Sequence, residues 1–434
     1  MYFQSRYRSN FFVRLPLVCV CALLLGVNAA QATGTLFLNS AVDAALSTNP
    51  GLAAIDARAR ALAELPNQVE ALPDLILSVN LVNLPLDSIS FTQEGMTQFQ
   101  IGITQALPYA GKLALRSQVA RHEAAAGMAD VAEKRLQLVR DVKTVWWNLV
   151  YLERALEVIA RNQVLLQQFV NVAETRYTVG RGQQQDILLA QLELSKLSDS
   201  AIHVQNMREN ESVRLNVLMD QPVTESIQLP VAINEVLLTL NSSEALQQQA
   251  VNSRPILAAQ TERMSAAHSR VDLAKKGYTP DFKVGAVYGL RNGHNPDGSS
   301  RADFASILLS MNLPLGSQQD RAVDQRHAEW AQKKYQLQNQ RNQVASQVQL
   351  AVTDYRRSRE RAALFQQEII PLARQTVDAM LAGYQVSKVD FLSLIRAQTT
   401  LYDYETQYWK VLSIANQAMA RLVAAVGDEE NIYE

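Results

Sequence analysis

From Gly111 to Tyr177 the chain runs 67 residues without a proline. A single helix of that length would reach about 100 Å at 1.5 Å per residue, far too long for a compact domain. Within the run, Val142, Val145, Leu149, Leu152, Leu156, Ile159, Gln163, Leu166, Val170, Ala173 and Tyr177 follow alternating steps of three and four. That is the 3.5-residue repeat of a coiled-coil seam. After a turn, Ala190, Leu194, Leu197, Ala201 and Val204 resume it, with Leu215 and Leu218 in phase. The pattern predicts two long antiparallel helices. Charged residues such as Glu153, Arg154, Glu157 and Arg161 fill the faces between, so each hairpin carries a narrow apolar seam and must find neighbours. Trp146 and Trp147, about 100° apart on a helix, are read as packing residues.

Composition agrees with long helices. Only 17 Gly and 13 Pro in 434 residues argue against a large all-β fold, which needs turn formers. The five histidines, His122, His203, His268, His294 and His327, are scattered at least 26 positions apart, so no local metal site is expected. With 41 basic and 42 acidic residues the chain gives no electrostatic reason to expect a nucleic-acid partner. It has no nucleophile elbow, P-loop or His-rich motif, so neither an enzyme nor a cofactor is indicated.

The first 32 residues read as a secretory leader. Arg6, Arg8 and Arg14 form a basic start, Leu15 to Val27 an apolar run, and Ala30-Gln31-Ala32 a cleavage pattern. An apolar run of about 13 is short of the roughly 20 residues a membrane helix needs. Cleavage after Ala32 removes three arginines and both cysteines, leaving a mature charge of −4 and no disulfide or lipid anchor. No later stretch has 18 apolar residues, so an exported chain is either soluble or inserted as a β-barrel.

The sequence repeats itself. Asn49-Pro50 matches Arg254-Pro255 at an offset of 205, Leu107-Pro108 matches Leu313-Pro314 at 206, and Pro73-Asp74 matches Pro280-Asp281 at 207. Tyr177 to Gly180 matches Tyr384 to Ser387, and Ala190-Gln191 matches Ala397-Gln398, both at 207. The expected organisation is a first repeat over 33–221, a linker over 222–241, a second repeat over 242–427, and an acidic tail over 428–434.

Each repeat contains two alternating segments, about 74–84 and 97–107, then about 281–291 and 303–313. Leu75, Leu77, Val79 and Leu81 form one apolar row, and Phe99, Ile101 and Ile103 the next. Val284 and Tyr288 continue it in the third segment, Ile307 and Leu309 in the fourth. Strands of about ten residues cross a bilayer when tilted, although a soluble sheet resting on a helical core alternates in the same way. Four strands cannot close a barrel in lipid, so insertion requires oligomerisation: two chains give eight strands, three give twelve and four give sixteen.

Two motifs carry a resemblance. Pro108-Tyr109-Ala110-Gly111-Lys112-Leu113-Ala114-Leu115-Arg116 precedes the long helix, with Asn312-Leu313-Pro314-Leu315-Gly316-Ser317 its second counterpart. Arg176-Tyr177-Thr178-Val179-Gly180-Arg181-Gly182, continuing through Asp186 to Gln191, forms the helix-hairpin tip. With these the whole mature chain resembles the TolC-type outer-membrane efflux channels, in particular the branch serving heavy-metal efflux pumps. The resemblance implies a mostly α, α+β subunit: coiled-coil helices for a periplasmic α-barrel and four strands for a trimeric, twelve-stranded outer-membrane β-barrel. It implies a homotrimer in outer-membrane lipid that passively conducts solute, heavy-metal cations among the candidates, from a periplasmic adaptor and an inner-membrane RND-type pump.

At the tips it implies a narrowing and adaptor-docking role for Tyr177, Gly180, Arg181, Gly182, Asp186, Tyr384, Lys388 and Asp390. The two tips differ, because Ser387 and Val389 stand where the first has Gly180 and Gly182. The rival reading is a soluble periplasmic coiled-coil adaptor or scaffold without a pore, in which the strand residues are buried against protein.

Overall fold

The computed structural model describes residues 35–428 and 432–433. The expected leader, and Glu429 and Glu430 of the acidic tail, lie outside them. Two short helices, α1 (Leu38–Thr48) and α2 (Pro50–Glu70), precede strands β1 (Ile76–Val82) and β2 (Gln98–Leu107). Next come the long helices α3 (Lys112–Thr178) and α4 (Gln184–Leu218). The order then recurs with α5 (Ser243–Ser253), α6 (Pro255–Lys275), β3 (Phe282–Leu290), β4 (Phe304–Met311), α7 (Gln318–Leu364), α8 (Ile370–Gln385) and α9 (Phe391–Val426). Among the described residues no helix is long and apolar enough to cross a membrane.

The proline-free run is one helix of 67 residues, started by Gly111 at φ 87°, a left-handed conformation that favours glycine. Its counterpart is interrupted. Between α7 and α8 a π-turn over Phe365–Ile369 carries the chain past Pro371, which lacks the amide a helix needs and crowds the carbonyl one turn back. The first repeat has no such break, because no proline interrupts α3.

The strands form one antiparallel sheet in the order β1-β2-β3-β4, with β1 and β4 at its edges. Three of the four are shorter than the ten residues expected, at seven, nine and eight. Their register is continuous: Val79 pairs with Ile101, Ile101 with Tyr288, and Tyr288 with Ala305.

Below the sheet, α2, α3, α6 and α7 lie side by side, α3 packing on α2 and α6, and α6 on α7. A ladder of ion pairs joins α3 to α6 and to the chain just beyond it. The Glu133 carboxylate accepts 2.8 and 2.7 Å bonds from Arg254, which stands at the N-terminus of α6, both side chains only 6% exposed. Asp130 pairs with Arg263 and Glu123 with Arg270. At the top, Lys112 Nζ donates to Asp281 at 2.8 Å, and the same carboxylate accepts from the Tyr109 amide. The Pro108 to Arg116 junction thereby fastens the start of α3 to the entry of β3.

Residues 220–241 cross the outside of the helices without forming one. Arg208 donates to the Ile227 carbonyl at 3.0 Å, Tyr355 to that of Leu238 at 2.8 Å, and Arg359 to that of Leu237 at 3.1 Å. Trp146 and Trp147 are both buried and meet edge to face at 5.2 Å. Trp146 Nε1 reaches the Leu36 carbonyl, while the Trp147 carbonyl accepts from Ser413 of α9, so α3 is covered on two sides at this level.

Candidate functional site: the hairpin tips

At the end far from the sheet, the turn joining α3 to α4 lies beside the turn joining α8 to α9. Both are closed by the same bonds. In the first, the Gly180 amide donates to the Tyr177 carbonyl at 3.0 Å and Arg181 to that of Arg176 at 2.8 Å. In the second, Ser387 donates to Tyr384 at 3.1 Å and Lys388 to Gly383 at 2.9 Å. These are helix endings with a left-handed residue, Gly180 at φ 73° and Ser387 at φ 62°.

The side chains explain why the glycines differ. A Cβ on Gly182 would come 2.8 Å from the Tyr177 nitrogen and 3.0 Å from Arg176 Cβ, so the first turn has no room there. In the second turn Val389 fills the equivalent place, and the space comes from Gly383, where a Cβ would meet Val389 Cγ2 at 2.6 Å. The small residue has moved from one wall of the turn to the other.

Arg176, the first residue of the tip motif and not among the residues expected to act there, joins the two tips. Its guanidinium donates to the Tyr384 carbonyl, to that of Gln385 at 3.2 Å, and to Ser387 Oγ at 2.7 Å. It thus adds a charged donor to carbonyls at the end of α8, where helical partners run out and that of Tyr384 accepts otherwise from the turn amide of Ser387. Tyr384 is buried, and its hydroxyl donates to Asp186 Oδ2 at 3.3 Å. Burial, reinforced by the Asp186 charge, pushes the phenol up to about 12, so it stays a neutral donor throughout the physiological range.

Of the expected tip residues, Tyr384 and Asp186 are therefore brought together across the hairpins. Asp390 is occupied otherwise: its carboxylate caps α9, accepting from the Ser393 amide and hydroxyl at 2.8 Å each. The amide bond chiefly holds its carboxyl below the usual range. Tyr177, Arg181 and Lys388 are exposed. Arg181, Gly182, Asp186, Tyr384, Lys388 and Asp390 all contribute to one open cleft of about 770 Å³ between the turns.

The expected apolar strand residues share one face of the sheet. Leu77, Val79, Leu81, Phe99, Ile101, Ile103, Val284, Tyr288, Ile307 and Leu309 fall in register on it, and Leu75 stands one residue before β1. All are exposed, Ile307 at 86% and Leu309 at 71%. The opposite face carries Ser78, Asn80, Gln100, Thr104 and three glycines, Gly102, Gly285 and Gly289. Among the described residues no group of His, Cys, Asp or Glu could hold a metal ion.

A sheet with one exposed apolar face, set above paired helical hairpins, is the architecture of an outer-membrane channel subunit. The chain belongs to the outer membrane efflux protein family, whose model matches residues 41–220 and 246–428. Its place is the outer membrane, with the helical part in the periplasm. Over 189 residues it is 26% identical to the cobalt-zinc-cadmium resistance protein CzcC of Cupriavidus metallidurans, a match covering 42% of each chain. The fold is that of the outer-membrane channel OprN, at a TM-score of 0.77 and 19% identity, covering 90% of this chain and 89% of that one. It is likewise similar to the channel CusC, at a TM-score of 0.77 and 14% identity, covering 90% of this chain and 92% of that one.

Proposed function

We propose that three copies of this chain close a twelve-stranded barrel in the outer membrane and continue it as a helical tunnel. The product is the exit duct of a tripartite efflux system. The observation that carries this reading is the sheet: an exposed apolar face bounded by two open edges, β1 and β4. Lipid suits that face, but an unpaired edge in lipid leaves backbone groups without partners, so neighbouring copies must supply them. The row from Leu75 to Leu309 then faces lipid, and the Ser78 and Gln100 side faces the wet interior.

In this reading Arg176, Tyr384 and Asp186 hold the periplasmic end narrow. Tyr177, Arg181 and Lys388 are left for a periplasmic adaptor, which couples the duct to an inner-membrane RND-type pump. The protein does no chemistry of its own. Similarity to a cobalt-zinc-cadmium resistance protein supports heavy metals as cargo. Removal of the leader after Ala32 and descent of the two repeats from one unit belong to the same proposal.

The test is extraction and conductance. The mature protein should leave membranes only in detergent, migrate as a trimer by light scattering, and form ion-conducting pores in planar bilayers. A monomer that stays in solution without detergent would refute the reading and favour a periplasmic scaffold.

A further inference from the structure

The four-helix layer beneath the sheet holds three adjoining clefts of about 520, 320 and 230 Å³. The largest is bounded by Leu65 and Val69 of α2 at one side and by Ala322 and Arg326 of α7 at the other. The second likewise spans from Arg58 and Leu62 of α2 to Lys333 of α7. Helices packed side by side in the order α2, α3, α6, α7 bring the first and last to a common cleft only on the side toward which the layer curves. The clefts therefore mark the concave face, and in a closed ring of such layers the concave face is the tunnel wall.

The charges on that face are unequal. Every carboxylate lining the clefts is already committed to an arginine: Glu123 to Arg270, Asp130 to Arg263, and Glu133 to Arg254. Arg326 is matched by Glu329 at 2.6 Å. Four further cations line the same clefts: Arg58, Arg116, Lys134 and Lys333. Lys333 donates to the neutral Gln336, and Arg116 feels Asp281, a carboxylate that Lys112 already holds. The residues lining these clefts, taken with their ion-pair partners, thus carry an excess of four positive charges per subunit, and a trimer triples it.

From this we infer that the upper periplasmic tunnel is an anion-attracting belt that favours solutes of net negative charge and opposes bare divalent cations. The inference rests on the duct reading above. Like charges converging on a water-filled passage add their potentials, which focus counter-ions and repel co-ions within about a Debye length, roughly 8 Å at physiological salt. Leu65, Val69, Val119 and Leu273 floor the largest cleft, so an anion with an apolar portion finds a matching surface there. A metal cargo would pass this stretch complexed by anionic ligands rather than as a free ion.

The test uses full-length trimers in planar bilayers across a potassium chloride gradient, with the reversal potential as readout. Wild type should pass chloride in preference to potassium, and the preference should shrink at molar salt. Replacing Arg58, Arg116, Lys134 and Lys333 together by Glu should reverse it, and replacing them by Gln, a milder change to the fold, should abolish it. Arg60→Glu is the control: it sits about 200° around α2 from Arg58 and is paired with Asp56. It should leave selectivity unchanged. Conducting trimers that prefer potassium or show no preference overturn the inference and leave the duct reading standing, as does an Arg60→Glu effect equal to that of the four. Intact trimers that do not conduct overturn both.

Discussion

The Arg176 guanidinium lies 4.6 Å above the centre of the Tyr384 ring while donating to the carbonyl of the same residue. One side chain from the first hairpin thereby grips both the ring and the backbone of the second. Arg176→Ala removes several charge-assisted bonds, each worth about 1.5 to 3 kcal/mol, whereas Tyr384→Phe removes one long bond to Asp186 worth about 0.5 to 1.5 kcal/mol. The expected order of hydrogen-exchange rates at residues 383–390 is Arg176→Ala, then Tyr384→Phe, then wild type. Single-channel conductance should rise in the same order. Arg176→Lys should behave more like Ala, since an ammonium cannot reproduce the planar fork.

The two turns make a reciprocal prediction. Gly383→Ala drives a Cβ against Val389 and should loosen the second tip, and adding Val389→Gly should restore it. Gly182→Ala strikes backbone atoms, which cannot be trimmed away, so no side-chain truncation in the first tip should rescue it. Limited proteolysis at the tips would read both cases, and equal rescue in the two turns would contradict the packing described.

Asp390 should act as a helix cap. Asp390→Ala is expected to cost about 1 kcal/mol and to fray the start of α9, while Asp390→Ser and Asp390→Asn retain most of the stability. Conductance changes in Ala, Ser and Asn alike would assign Asp390 a further role at the tip.

For the sheet, Leu77→Arg or Ile101→Arg places charge on the apolar face at a cost of about 2 to 4 kcal/mol near mid-bilayer. Ser78→Arg and Gln100→Arg lie on the opposite face and should assemble normally. Comparable trimer yields from the two sets would mean that the faces are misassigned.

Glu133 and Arg254 predict both a mutational and a pH effect. Desolvation alone would raise the Glu133 pKa, but bonds and charge from Arg254, with further bonds from Gln137 and the Ile256 amide, hold it below its ordinary value. Its contribution to stability is therefore complete above the unfolded carboxylate value of about 4.3 and is lost as pH falls through the lower folded value. Glu133→Gln leaves a buried guanidinium unpaired and should cost about 3 to 5 kcal/mol. A Glu133→Leu, Arg254→Met double variant should recover most of that in thermal melts, and should flatten the acid dependence.

The helices and strands were legible because their signals are local. The absence of proline and the three-four stepping specify α3, and period-two alternation specifies four strands on one face. The role of Arg176 was not legible. A base in the last turn of a helix suits the dipole of that helix alone, and its partners at 384, 385 and 387 lie more than 200 positions away. Asp186 and Asp390 follow matched turns, yet one reaches across to Tyr384 and the other caps its own helix. Their places differ in register: the 207-residue offset aligns Asp390 with Gln183, the residue before α4, and Asp186 with Ser393, so Asp390 stands at the cap position and Asp186 within the first turn, where what packs opposite decides its partner. Gly383 could have been found: where the second turn has valine at 389 in place of the glycine, a compensating glycine on the facing side of the turn, six residues earlier, is the residue to look for.

The ladder between α3 and α6 bears on the order in which the molecule folds. The central pairing of the sheet, β2 with β3, joins segments separated in sequence by α3, α4, α5 and α6. Closing so long a loop in one step is entropically unfavourable and slow. Zipping α3 against α6 from Glu133 and Arg254 up to Lys112 and Asp281 shortens the open loop step by step. It delivers the end of β2 to the start of β3 already in register. The helices can therefore assemble first and act as the template on which the four-stranded sheet is completed.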